Sequence, residues 1–470
     1  MKAMDKKNIA IIGGGISGLS ALHFLMNRYP DNIRVTLFEK ESRLGGTIGT
    51  DRLENFNTDW GPNGFLDKVP LTLQMIHELG IEELLQPAHP KAEKRFIYRN
   101  KKLHEINPSP AKFMRSPVLS LGGRLRLARE PFINPKTDGN DESIFDFAER
   151  RIGREAAENL IGPMVSGIFG GDARKLSLRA CFPAMVEMER EYGSLVKAMM
   201  AKKKNGGGGP AGPGGRLTSF KNGLYTLIEK MKEIYSDWII IGKEVFSVDS
   251  LKDGFRLRFS DGSSDSFDAV ICAVPAFAAA EILKKTDRLL AELLISIPYA
   301  PIAVAAFGYN REAVAHDLNG FGFLVPRSEG LNILGSIWTS SIFTDRTPSG
   351  MVQLRTMLGG ATDPELVSLP DQAIIDIVET ELRNILGITA IPEIVRLYKW
   401  DRGIPQFVLG HPEKMARMED LLQNHPGLYF TGNAYDGVGL NDCVIRSDKV
   451  VNRLAGELRL TPSEIADSVR

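Results

Sequence analysis

The chain has 470 residues, with 58 basic side chains balancing 58 acidic ones and only three cysteines. At roughly 150 residues per domain there is room for about three lobes, and 43% hydrophobic with 25% charged residues excludes a disordered or collagen-like chain. The charge balance argues against a general nucleic-acid binder, and the spacing of Cys181, Cys272 and Cys443 leaves no CxxC pair, metal ribbon or disulfide framework, as expected in a reducing compartment.

Residues 8–12 are a β-rich apolar run that breaks into glycines, unlike the core of a signal peptide. A helical pattern follows through Leu22, Phe24 and Leu25, then a second strand over 34–39, which together make a βαβ unit. Residues 71–85 read as an amphipathic helix ending near Gly80, then a short helical turn. From about 110 to 200 the pattern is helical, with Ser143 as an N-cap, and 205–215 is a low-complexity loop of Gly, Pro, Asn and Ala. β-Like runs return at 238–241, 245–249, 255–259 and 268–274, with Asp261 and Gly262 as a hairpin turn. More follow at 302–308, 321–325, 331–338 and 352–358. Helices over 371–386 and 411–423, a strand near 428–431 and a helix over 440–457 close the chain. Two uncharged stretches, 8–27 and 293–310, are as long as a membrane span. Glycines break the first, and Pro298 and Pro301 break the second, so neither is expected to cross a bilayer.

Gly13, Gly15 and Gly18 form a GxGxxG directly after a strand and at the start of a helix. The first glycine permits a tight turn, the second lets the backbone approach a pyrophosphate, and the third lets helix and strand pack closely. With Ile16 and Ser17 they place a helix N-terminus at the anion. Glu39 ends the second strand, where a carboxylate accepts the ribose hydroxyls and repels a 2′-phosphate. Arg43, Gly45, Gly46 and Thr47 then extend the site as in the amine-oxidase-like FAD superfamily, and FAD is the expected cofactor. Arg43 is placed at the pyrophosphate or on a solvated loop. At the other end, Gly432, Val438, Gly439 and Leu440 form a strand, a glycine-rich turn and a helix start suited to the flavin pyrimidine.

Several ordered islands then resemble the oxygen-dependent protoporphyrinogen oxidase family. They include Asp59, Trp60, Gly61, Pro62, Asn63 and Gly64; Lys94 to Tyr98; Ser166 to Asp172; Gly320 to Pro326; Met357 to Gly360; Ile404 to Gln406; and Gly437 to Cys443. The resemblance implies an α/β chain, α+β overall, with a Rossmann-like FAD domain in three pieces (1–85, 217–285 and 411–470). A discontinuous substrate domain would occupy 86–98 and 286–410, a helical membrane-associating lobe 99–205, and a flexible loop 206–216. It also adds Gly61, Pro62, Asn63, Gly64, Val245 and Ala273 to the cofactor set.

The implied reaction is oxidation of protoporphyrinogen IX to protoporphyrin IX in three two-electron steps on FAD, with O2 giving H2O2. Arg95 matches the arginine that pairs with a propionate, and Gly167 the residue whose carbonyl faces the pyrrole N–H groups. Phe321, Leu324, Ile337 and Met357 match the apolar substrate wall. No acid–base residue and no metal is expected, since none of the seven histidines falls in a triad or ligand pattern, and His411 reads as a structural helix start. A cytoplasmic location is expected. Lys112, Arg115, Arg124, Arg126 and Arg129, interleaved with Phe113, Met114, Val118, Leu119, Leu121, Leu125 and Leu127, suit a peripheral contact with the inner membrane or an ordinary packed amphipathic helix. A homodimer and product hand-over to a ferrochelatase are left open. The alternatives are a coproporphyrinogen III oxidase, an amine oxidase with an aromatic pair at the flavin, and a non-catalytic flavin-binding assembly factor.

Overall fold

The computed structural model describes residues 6–107, 116–204 and 215–463. Five parallel strands form the first sheet, in the order Ile239–Ile241, Ile33–Glu39, Lys7–Ile12, Ala269–Cys272 and Leu428–Phe430. Ile9 and Ile11 enter one core while Ala10 and Ile12 enter the other, so burial on both faces explains an unbroken apolar run. The helices Ile16–Arg28, Tyr225–Tyr235 and Leu440–Leu458 cover the first face. An antiparallel sheet of Val245–Leu251, Gly254–Phe259 and Ser264–Phe267 covers the second, with the helices Ala276–Leu283 and Arg288–Ile295. Strand order runs outward in both directions from Lys7–Ile12, so a crevice opens beyond Ile12 and Cys272 at the switch point.

A seven-stranded mixed sheet lies in the order Ile394–Pro405, Tyr299–Asn310, Met351–Gly359, Ile333–Trp338, Gly322–Leu324, Arg95–Arg99 and Lys102–Glu105. Its outer face packs Phe307, Trp338, Leu354 and Leu358 against Ile374, Val378 and Leu382 of the helix Asp371–Leu386. The register fixes what the inner face carries. Arg95, Gly322, Ile337, Arg355 and Ala306 lie in one row across the strands. Leu324, Gly335, Met357, Val304 and Tyr398 lie in the next.

The helical lobe has its own core of Ile144, Phe145, Phe147, Val165, Phe169 and Leu176. Beside it, buried Arg151 pairs with Glu130 and Glu189. Pro163 lacks an N–H, and the turn before it widens to a π-helix over Ala157–Ile161 that leads into Gly162–Phe169.

Three expectations change. The segment expected to be helical from residue 99 opens on the strand Lys102–Glu105, because Asn100 and Lys101 adopt positive φ (51° and 60°) and close a two-residue hairpin. The run 268–274 holds the parallel strand Ala269–Cys272, but the hairpin at Asp261 and Gly262 is closed by a strand not expected from the sequence, Ser264–Phe267, which pairs with Gly254–Phe259. The helix Arg288–Ile295, within the stretch assigned to the substrate domain, buries Leu290 and Leu294 in the dinucleotide domain's core. Lys112, Phe113, Met114, Arg115 and most of the glycine-rich loop lie outside the described residues.

Candidate active site

Gly13 has φ +107°, and a side chain there would meet the Ala273 carbonyl oxygen at 2.9 Å. A side chain at Gly18 would overlap the Gly13 carbonyl oxygen. Both glycines are therefore required by the turn and by the helix lying against the strand. Gly15 differs: its φ is −75° and a Cβ there would touch nothing within 4 Å. Neither strain nor packing among the described residues demands glycine at that position, which leaves room for a ligand to approach the backbone there. Gly15 is the N-cap of Ile16–Arg28 with no side-chain cap, so the first-turn N–H groups near Ile16 and Ser17 are left to an anion.

Glu39 is buried, and its two oxygens accept the N–H groups of Gly14 (2.6 Å) and Glu41 (2.8 Å). Those bonds fix the carboxylate while leaving each oxygen a further lone pair for a ribose hydroxyl. Gly45 bridges to Gly15, and its N–H donates to the Gly14 carbonyl at 2.8 Å. Arg43 donates to the carbonyls of Leu44 (3.0 Å), Ile48 (3.1 Å) and Gly46 (2.5 Å) and lies 4.1 Å over the Trp60 ring, so it shapes the Gly45–Gly46 turn. Thr47 is exposed, and its carbonyl oxygen lies 3.1 Å from a Cβ built on Gly61. Pro62 is half-buried, while Gly64 is pressed against the Thr218 carbonyl and has a packing reason to be glycine.

Val245 begins its strand next to Lys243, whose N–H bonds the Glu39 carbonyl. At the C-terminal element, Gly432 has φ +146°, Leu440 joins the dinucleotide core, and Val438 packs on the helical lobe. Gly439 is the N-cap of Leu440–Leu458, with its N–H on Asp442 at 3.0 Å. The Asn63 amide nitrogen and the Asn441 amide oxygen are buried without partners. Two orphaned polar atoms, an uncapped helix start and open space at Gly15 fit FAD, which the backbone around Gly13, Gly15, Ile16 and Ser17 and the carboxylate of Glu39 could hold.

The substrate side is assembled by close backbone approach. Gly167 crosses the sheet so tightly that a Cβ would sit 2.7 Å from a Leu324 methyl. The lobe is fixed there by the Ala361 N–H on the Gly170 carbonyl (2.7 Å) and by the Gln406 amide on the Phe169 carbonyl (2.8 Å). Gly360, at φ +81°, would place a Cβ 2.6 Å from that Gly170 oxygen. Leu324, Ile337 and Met357 are half-buried on the inner face. Arg95 stands at the end of the row, 5.1 Å over the Phe321 ring. It is exposed, and among the described residues its guanidinium makes no hydrogen bond or ion pair. Apolar surroundings lower its pKa and Glu93 opposes this, but a guanidinium stays charged.

Sequence reasoning did not single out Arg355. It is buried on the same face and donates to the carbonyls of Trp60 (3.2 Å) and Gly61 (2.6 Å). A lone arginine in the otherwise uncharged run 351–359 was its signal. His411 is structural: it begins the helix His411–Leu422, stacks on Phe407 at 4.2 Å, and its Nε2 meets the Tyr435 carbonyl at 3.0 Å. Tyr435 is in the dinucleotide core, and Trp60 stacks on Tyr398 at 5.6 Å.

The model of the family described as flavin containing amine oxidoreductase matches residues 16–455. The chain is 29% identical to coproporphyrinogen III oxidase of Bacillus subtilis (strain 168), over 95% of this chain and 97% of that protein. It is 31% identical to the chloroplastic protoporphyrinogen oxidase 1 of Arabidopsis thaliana, over 92% of this chain and 85% of that one. A crystal structure of a protein from Exiguobacterium sp. 255-15, assigned to protoporphyrinogen oxidase only provisionally, superposes with a TM-score of 0.84 at 25% identity, over 97% of this chain and 100% of that one. With the glycine cradle and these near full-length matches in hand, the chain belongs to the flavin-containing amine oxidoreductase family.

Proposed function

We propose that the protein oxidises protoporphyrinogen IX to protoporphyrin IX, using FAD and O2. The observation that carries this is Arg95, a free guanidinium at the edge of an apolar sheet face roofed by Gly167. A guanidinium fork suits a propionate and repels an ammonium, which disfavours an amine substrate. Arg95 and Arg355 are three strand spacings apart in one row, roughly 14 Å at about 4.8 Å per strand. The face between them, with Ile337 in that row and Leu324 and Met357 in the next, can hold a tetrapyrrole flat while its propionate edge is fixed at Arg95.

When bound, FAD supplies the hydride acceptor. The residues of the chain orient and enclose. Arg95 anchors the ring, Leu324, Ile337 and Met357 exclude water, and the carbonyl of Gly167 receives pyrrole N–H groups. Overall six hydrogens leave the substrate as three hydrides and three protons, and three O2 become three H2O2.

A second reading, coproporphyrinogen III oxidase, is favoured by the near full-length match to the Bacillus subtilis protein of that name. Anaerobic flavin bleaching by each porphyrinogen decides between the two. Bleaching by neither removes both.

We also propose a peripheral membrane contact at Leu121, Leu125 and Phe132, which are 72%, 57% and 85% exposed. Arg124 and Arg126 contribute less charge to that face than their spacing suggested. Arg124 bonds the Leu119 carbonyl, and Arg126 bonds the carbonyls at the end of Ile144–Ile152. Sedimentation with anionic vesicles, lost in Phe132→Asp, tests this contact. No helix among the described residues is long and apolar enough to cross a membrane.

A further inference from the structure

We propose that Arg355 is a fixed positive charge that biases the bound flavin towards its two-electron reduced state. Arg355 is 3% exposed. It touches the Trp60 and Gly61 carbonyls, its Nε has no partner, and among the described residues it has no carboxylate ion pair. The other buried arginine nearby, Arg346, is served by two carboxylates, Asp345 at 2.7 Å and Asp59 at 3.5 Å. Two buried guanidiniums therefore share one neighbourhood with two carboxylates, and Arg355 is the guanidinium with no direct ion pair among the described residues, Asp59 acting on it only at longer range. A guanidinium buried without a direct ion pair costs stability.

The contacts of Arg355 lead to the cofactor cradle. Gly61, whose carbonyl it holds at 2.6 Å, abuts Thr47, which follows the Gly45–Gly46 turn bridged to Gly15. Reduced flavin gains negative charge that oxidised flavin lacks. A cation held in a low-dielectric junction stabilises that charge without reorganising. Asp59, fully buried two residues before Gly61, offsets the effect.

This inference rests on flavin binding and not on the identity of the porphyrinogen, so its test uses no substrate. The flavin midpoint potential is measured by reductive titration against a reference dye in wild type, Arg355→Met, Arg355→Lys and Asp59→Asn. Arg355→Met is expected to lower the reduced-to-oxidised ratio at a given potential about tenfold, which is about 30 mV for a two-electron couple. Arg355→Lys keeps most of the wild-type value, and Asp59→Asn shifts the potential upwards. A tie between domains that acts only structurally would not give opposite signs. Unchanged potentials in Arg355→Met and Asp59→Asn, or shifts in the same direction, overturn the proposal. If Arg355→Met does not retain flavin, Asp59→Asn decides alone, and no upward shift overturns it.

Discussion

Gly15 and Arg95 are defined by what surrounds them little or not at all. A Cβ at Gly15 has no atom of the described residues within 4 Å, so Gly15→Val should fold as wild type yet hold FAD at least about tenfold more weakly, a loss of about 1.4 kcal/mol. Flavin content after purification, beside the far-ultraviolet spectrum, checks this. Among the described residues the Arg95 guanidinium makes no polar contact that its removal would break. Arg95→Ala should leave flavin content and melting unchanged and raise KM for the porphyrinogen roughly 10- to 100-fold, as expected for losing a charged hydrogen bond worth about 1.5–3 kcal/mol. Loss of flavin instead would reassign Arg95 to the cofactor.

At the scale of elements, the junction between Gly162–Phe169 and the mixed sheet carries two different predictions. A methyl group on Gly167 would press on the flexible Leu324 side chain, which belongs to the proposed substrate wall. Gly167→Ala should therefore keep the fold and FAD while raising KM. Gly360 faces backbone that cannot give way, the Gly170 carbonyl, and has φ +81°. Gly360→Ala should destabilise by about 1–3 kcal/mol, read as a lower denaturant midpoint.

The same elements show what could be read in the sequence. The strand Lys7–Ile12, the helix Asp371–Leu386 and the start of Leu440–Leu458 were legible because each has a strong period or a glycine-rich entry. The twelve-residue strand Ile394–Pro405 was not, because it is an edge strand with Lys399, Asp401 and Arg402 interrupting its alternation. The site glycines were legible as a motif. Their division into turn-forming Gly13, packed Gly64 and ligand-facing Gly15 needed the neighbouring chain. Arg355 was hidden because its partners are carbonyls nearly three hundred positions earlier.

At the scale of the molecule, two cores lie on the two faces of the parallel sheet and a third behind the mixed sheet, and stability should depend on pH through buried His411 and half-buried His316. Burial lowers the pKa of His411 and of His316. The unfolded chain then takes up those protons first, near the ordinary value of about 6.5, so stability is full above it and falls as pH drops through it. Denaturant midpoints should decline below about pH 6.5, less steeply in His411→Gln. A flat profile would contradict the burial of these groups in neutral form.

The balanced net charge also resolves at this scale. Arg95 and buried Arg355, neither in a direct ion pair among the described residues, flank an apolar face, although the whole chain sums to zero. The most direct test of the functional account is the anaerobic rate of flavin reduction by protoporphyrinogen IX and by coproporphyrinogen III. The account predicts rapid bleaching by protoporphyrinogen IX, faster than by coproporphyrinogen III, and full recovery of the oxidised spectrum with O2. Flavin that stays oxidised with both would contradict it.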